Sequence, residues 1–201
     1  DYWLRAKRAL ARRDAVLAGI IRAHPRIALV RRGEPFKTLA RSIVGQQISV
    51  KAAESVWQRV LAVAPAATPE QMLKARRRLP ACGLSQRKAE YIADLARHFV
   101  LGSIHARDWP DMDDEAVIAE LVQVRGIGRW TAEMFLMFNL LRPDVLPLDD
   151  LGLQRAIGLH YFDGERATRE RMRELGANWA PWRSVATWYL WRSLDPVPVE
   201  Y

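Results

Sequence analysis

The chain has 201 residues, 50% hydrophobic and 27% charged, which suits one large folded domain or two small lobes and excludes a disordered tail. Its 31 Lys and Arg exceed its 23 Asp and Glu, and the net charge of +8 points to a polyanionic partner. The single cysteine, Cys82, excludes a disulfide framework, a cysteine zinc site and a four-cysteine iron–sulfur cluster, and no apolar run approaches the roughly 18 residues of a membrane span.

Nearly every segment repeats its apolar residues at helical period. Phe36, Leu39, Ala40, Ile43 and Val44 make one face, and Ala53, Val56, Trp57, Val60 and Leu61 make the next. Only 26–31 hints at an extended segment. Thr68-Pro69-Glu70-Gln71 is a helix start, with Thr as N-cap and Pro in the first turn. Ser85 reads as the cap of a helix with Ala89, Ile92, Ala96 and Phe99 inward. Asp113 reads as the cap of another, with Val117, Leu121 and Val122 inward. The ranges 130–141 and 182–194 are apolar enough for buried helices. The predicted class is all-α, with about ten short helices. The four histidines share no metal-ligand spacing, so no catalytic metal is expected.

Charge is distributed unevenly along these elements. Residues 1–35 carry net +6, 36–110 net +7, 111–150 net −6 and 151–201 net +1. A basic molecule thus contains one acidic stretch, and it ends at Asp149-Asp150. Carboxylates oppose a polyanion, so one of them is a candidate for chemistry.

Two features stand out near that stretch. Residues 121–133 run from one helical segment through Gly126-Ile127-Gly128 into another. Glycines in such a turn permit positive φ and close backbone approach, and the amides that open the next helix can receive a phosphate. Val124 and Ile127 would pack inward, with Arg125 and Arg129 flanking. This is a helix-hairpin-helix element that grips backbone without reading sequence. Downstream, 144–150 delivers two carboxylates to a helix start. Asp149 reads as the cap and Asp150 as the chemical group.

These residues together resemble the helix-hairpin-helix/Gly-Pro-Asp DNA glycosylase superfamily, and within it the bacterial 3-methyladenine DNA glycosylase II (AlkA-type) branch. Gly-Ile-Gly-Arg-Trp-Thr-Ala is followed 22 residues after Gly128 by Asp150. Residues 39–50 resemble the helix that carries the family's DNA-intercalating wedge. Residues 83–92 resemble its middle helical hairpin, and 181–191 its C-terminal helix. The sequence has no room for the extra N-terminal β-containing domain of longer members. The resemblance implies two helical lobes with an interlobe active-site cleft: a middle lobe over 36–142, including the hairpin, and a discontinuous lobe of 1–35 plus 143–201. It places the catalytic aspartate at Asp150, the base pocket at Trp130, Trp191, Met134, Gln46 and Val50, and the wedge at Gln47. It assigns Arg125, Gly126, Gly128, Arg129 and Thr131 to the DNA backbone.

The implied activity is excision of alkylated purines, 3-methyladenine and 7-methylguanine, from double-stranded DNA in base-excision repair. Cationic bases gain from stacking on tryptophan. Bifunctional relatives place a lysine right after the Gly-x-Gly-Arg turn, where Trp130 stands here, so the reaction implied is hydrolysis without strand cleavage. A position one helical turn after Trp130, aromatic in some relatives, is Met134, which leaves deaminated or oxidised bases as alternatives. A non-catalytic helix-hairpin-helix DNA-binding module is a third reading. No cofactor is expected; the hairpin is where a structural monovalent cation could sit. A monomer in the bacterial cytoplasm, associated with the nucleoid, is the expected setting.

Overall fold

The structure, a computed structural model, describes residues 2–194; residue 1 and residues 195–201, assigned above to the second lobe, lie outside the described residues. Among the described residues every regular element is helical: eleven α-helices and two 3₁₀ turns, Leu79–Cys82 and Trp109–Asp111. No helix among them is long and apolar enough to cross a membrane. The chain folds into two compact units. Among the described residues a middle unit is Arg32–Phe135, and a terminal unit joins residues 2–31 with residues 136–194. The divisions fall at 31/32 and 135/136, where the sequence predicts 35/36 and 142/143.

The middle unit holds α3 (Pro35–Gly45), α4 (Val50–Val63), α5 (Pro69–Ala75), α6 (Gln86–Leu101), α7 (Asp114–Leu121) and the start of α8 (Arg129–Phe138). Its helix starts are set by side-chain caps. Thr68, Ser85 and Asp113 each accept a backbone N–H three residues on, as their sequence contexts predict, and Ser49 does the same for α4. Phe36, Leu39, Ile43, Met72, Leu79, Ile92, Leu95 and Trp109 are fully buried. Edge-to-face contacts link Phe36 to Phe99, Phe99 to Trp109 and Trp109 to Phe135. Each such pair adds about 0.5–1.5 kcal/mol beyond its burial.

The terminal unit holds α1 (Tyr2–Arg13), α2 (Ala15–Ala23), α9 (Leu151–Tyr161), α10 (Arg169–Ala177), α11 (Arg183–Leu194) and the end of α8. In α11 every residue from Ser184 to Leu190 is buried, so the helix has no solvent face over that stretch. Asp14 anchors the unit. One oxygen caps α2 through the Leu17 N–H, and the other accepts Tyr161 Oη–H at 2.8 Å and Trp179 Nε1–H at 2.9 Å. The segment read as extended, 26–31, forms no strand. Its Ile27 carbonyl instead accepts from Trp3 Nε1 at 3.1 Å, so a side chain takes the place of a partner strand.

Candidate active site

In the terminal unit the site is built at the start of α9. Asp150, not Asp149, is the N-cap: its Oδ1 accepts the Leu153 N–H at 2.6 Å. Asp149 turns outward and pairs with Arg169. This corrects the assignment of the cap to Asp149. Two adjacent aspartates have equal capping propensity, and only the backbone conformation at Asp150 puts its carboxylate over the helix amides. The candidate chemical group is therefore itself the cap.

Asp150 is buried, at 7% exposure. Trp191 Nε1 donates to the same Oδ1 at 2.8 Å. A carboxylate suits a helix N-terminus because the partial positive charge there favours an anion. The Trp191 ring, half-buried, stacks on Phe138 at 6.0 Å between centroids with planes 11° apart, and meets Trp188 edge-on. Trp188 is core and carries the Arg192 guanidinium 4.4 Å above its ring. Gly152 completes the arrangement. A Cβ there would stand 3.1 Å from Asp150 Oδ1 and 3.3 Å from the indole of Trp191. Upstream, Arg183 makes a two-pronged bond to Asp144, and Ser184 Oγ accepts the Val145 N–H at 2.9 Å. The loop that delivers Asp150 is thus tied to the start of α11.

In the middle unit the 124–128 turn has the packing expected of it: Val124 and Ile127 are buried. The two glycines do different work. Gly126 has φ +88°, and a Cβ there would lie 2.2 Å from the Tyr91 ring. At Gly128 a Cβ would meet nothing within 4 Å. Gly126 is therefore required by internal packing, while Gly128 leaves the turn open on its outer side. The Gly128 carbonyl accepts the Ala132 N–H at 3.0 Å, which starts α8 with its first amides beside the turn. Trp130 and Thr131 are half-buried in the first turn of α8, and Met134 is buried one turn on.

The two flanking arginines also differ. Arg125 is exposed; its backbone N–H donates to Asp94 Oδ2 at 3.0 Å and its guanidinium Nε lies 3.5 Å from Asp94 Oδ1. Arg129 is held by Glu115 and by Glu133, and the hydrogen bonds it donates to Glu115 lead in raising its pKa. Its charge is paired with two carboxylates, which brace the turn.

The predicted wedge lies in the turn between α3 and α4. Gln47 is exposed and has φ +59°, a left-handed conformation that costs a non-glycine residue roughly 1–2 kcal/mol. Backbone strain of this kind persists where surrounding structure holds it and is common at functional sites. Gln46 is half-buried, and its Nε2 donates to the Gly126 carbonyl at 2.8 Å. That bond joins the wedge turn to the hairpin across 80 residues of sequence. Val50, the first residue of α4, is exposed, as is Ile48 beside Gln47. Sequence reasoning does not single out Ile48; its signal is an apolar residue exposed at a strained turn. Among the described residues no group of three or more His, Cys, Asp or Glu is arranged to hold a metal ion.

Residues 40–181 match the HhH-GPD superfamily of base excision DNA repair proteins. The chain belongs to that superfamily. It is 40% identical to the Bacillus subtilis protein YfjP over 111 residues, which cover 55% of this chain and 39% of YfjP. It thus spans about two fifths of that relative's length. A solved DNA-3-methyladenine glycosidase from Bacillus halodurans superposes with a TM-score of 0.86 at 36% identity, covering 93% of this chain and 87% of that one. A Schizosaccharomyces pombe 3-methyladenine DNA glycosylase, solved in complex with abasic DNA, superposes with a TM-score of 0.82 at 28% identity and covers 98% of each chain.

Proposed function

We propose that this chain is a monofunctional DNA glycosylase of base-excision repair. It flips alkylated purines, 3-methyladenine and 7-methylguanine, out of double-stranded DNA and hydrolyses their N-glycosidic bonds. The observation that carries this reading is the buried Asp150 carboxylate, fixed at Oδ1 by the Leu153 amide and by Trp191 Nε1. Its membership in a base-excision repair superfamily and its likeness to solved 3-methyladenine glycosylases support it.

In this reading the middle unit engages the DNA backbone as a monomer. The outward side of Gly128, the first amides of α8 and exposed Arg125 receive phosphates. Gln47 fills the space left by the flipped nucleotide, whose extrusion costs a few kcal/mol and least for a damaged base. An N-alkylated purine is a cation, and stacking on tryptophan is worth roughly 0.5–2 kcal/mol to it. Trp191 is the terminal unit's candidate for that selection, and Trp130 and Met134 are the middle unit's. As the glycosidic bond lengthens, positive charge grows on the sugar. A fixed carboxylate stabilises that charge and can orient and deprotonate the attacking water.

The strand is left intact. A lyase step needs an amine to attack the sugar carbon. Lys88 is the last lysine of the chain, so none stands at Trp130 or in the residues after it.

The deciding experiment incubates the protein with methylated duplex DNA and separates released bases by chromatography, with strand integrity checked on a gel. Release of 3-methyladenine and 7-methylguanine without strand cleavage is expected. Tight duplex binding with no base released would overturn the alkylpurine reading; failure also on hypoxanthine- and uracil-containing duplexes would leave a DNA-binding module standing.

A further inference from the structure

One face of α6 serves both turns of the middle unit. Lys88 Nζ donates to the carbonyls of Val44 at 2.8 Å and Gln46 at 2.6 Å. These are the end of α3 and its C-cap, where helix carbonyls lack intrahelical partners and a cation is favoured. Three residues on, the Tyr91 ring lies against Gly126, and three further on Asp94 receives the Arg125 N–H. Positions 88, 91 and 94–95 fall on one side of a helix. A single face therefore holds the turn before Gln47 and the turn around Gly126.

The two turns are also joined to each other. Gln46 is gripped twice, its carbonyl by Lys88 and its side chain by the Gly126 carbonyl. The next residue, Gln47, stands in the left-handed region and is exposed. Its own side chain is thus free to project while its backbone is fixed from the residue before. Lys88 is half-buried, and that burial lowers the pKa of its amine. An ammonium placed there directs its donors to carbonyls and has little reach into solvent.

We propose that Lys88 is a positioning residue for base flipping: its ammonium pins the Val44 and Gln46 carbonyls, holds Gln47 in its left-handed conformation, and sets the wedge in register with the hairpin. Lys88 acts through Gln47 and does not touch the substrate. The inference rests on the reading of Gln47 as the wedge.

The test uses single-turnover excision of 7-methylguanine from a duplex carrying 2-aminopurine beside the lesion, whose fluorescence reports unstacking. The variants are Gln47→Ala, Lys88→Met, Lys88→Arg and the double variant Lys88→Met/Gln47→Ala. Gln47→Ala should lower both the rate and the fluorescence rise, by about tenfold in rate. Lys88→Met should do the same at saturating enzyme, with duplex affinity within about twofold of wild type. Lys88→Arg should restore most of the loss. The double variant should be no slower than either single one, because the two residues act as a unit.

Losses that multiply in the double variant would overturn the positioning role while leaving the wedge intact. A Lys88→Met effect confined to duplex affinity, with a shallower salt dependence and unchanged fluorescence, would make Lys88 a phosphate contact and also overturn it. No effect of Gln47→Ala would overturn the wedge reading and the positioning role together. If Lys88→Met does not fold, as judged by its thermal melt, Lys88→Gln takes its place with the same outcomes.

Discussion

Asp150 and Trp191 are joined by a hydrogen bond from the indole N–H to Oδ1, 2.8 Å long, and that same oxygen caps α9. One carboxylate oxygen therefore starts a helix and aligns an aromatic ring. The arrangement separates the geometry of Asp150 from its charge, because an amide oxygen could accept the same two bonds.

Asp150→Asn is expected to fold with little change in melting temperature, since Asn caps helices about as well as Asp. It should bind damaged duplex as wild type does. Excision should fall by at least about 100-fold, as loss of a charge that stabilises the transition state does. Base release measured beside a binding isotherm checks both parts. Excision within a few-fold of wild type would remove Asp150 from the chemistry.

Trp191 supplies a ring and a donor, and two substitutions divide them. Trp191→Phe keeps a ring to stack on Phe138 but loses the bond to Asp150. A bond to a charged group is worth about 1.5–3 kcal/mol, so kcat should fall by roughly 10- to 100-fold with KM little changed. Trp191→Ala should also raise KM for cationic bases. Steady-state kinetics on 7-methylguanine duplex separates the two outcomes.

The helical class and several starts are legible in the sequence because their signals are local. Thr68, Ser85 and Asp113 each precede an amphipathic run, and each is a cap. Val124, Ile127 and the two glycines also declare the hairpin. The choice between Asp149 and Asp150 is not legible, since one residue of backbone geometry decides it. The contacts of Lys88 with Val44 and Gln46, and of Gln46 with Gly126, span 42 to 80 residues and have no local signature. Trp109 and Trp179 are the most buried tryptophans, yet nothing in the sequence around them marks them as such. Their N–H groups are satisfied by Glu120 and Asp14, which only the fold brings near.

The glycines of the hairpin should fail in different ways. Gly126→Ala forces a Cβ into the Tyr91 ring at a positive φ, and should destabilise the protein by about 2 kcal/mol or more. Gly128→Asp adds a side chain in open space and should leave stability within about 0.5 kcal/mol, as surface substitutions do. Yet it should weaken binding to damaged and undamaged duplexes alike, because an acid then stands where phosphate approaches. Urea melts and binding isotherms of the two variants give the comparison; equal stability losses would refute the division of labour.

Asp14 carries three bonds, to the Leu17 amide, Tyr161 and Trp179. Burial and the bond to Asp14 both push the Tyr161 phenol up, so Tyr161 stays a neutral donor. Asp14→Ala should cost about 3 kcal/mol, combining a lost cap with two stranded donors. Asp14→Asn should cost about half as much. Chemical denaturation of the three proteins at one pH measures both.

Glu120 holds three donors on the loop before α7: the His105 ring, the His105 N–H and Trp109 Nε1. The hydrogen bond that the His105 ring donates to Glu120 leads in raising the pKa of His105. At Glu120 burial works upward, but the bonds from His105 and Trp109 outweigh it and the carboxyl ends below its usual range. A raised histidine adds stability below its unfolded pKa and loses it as pH rises through the folded value. A lowered carboxyl adds stability above its unfolded pKa and loses it as pH falls through the folded value. The stability difference between wild type and Glu120→Gln should therefore peak between about pH 4.3 and 6.5, the two unfolded values, and decline on either side. NMR titration of the His105 ring should give a midpoint above that of an ordinary histidine in wild type, returning to the ordinary value in Glu120→Gln. A His105 midpoint unmoved by the substitution would show that Glu120 does not set its charge.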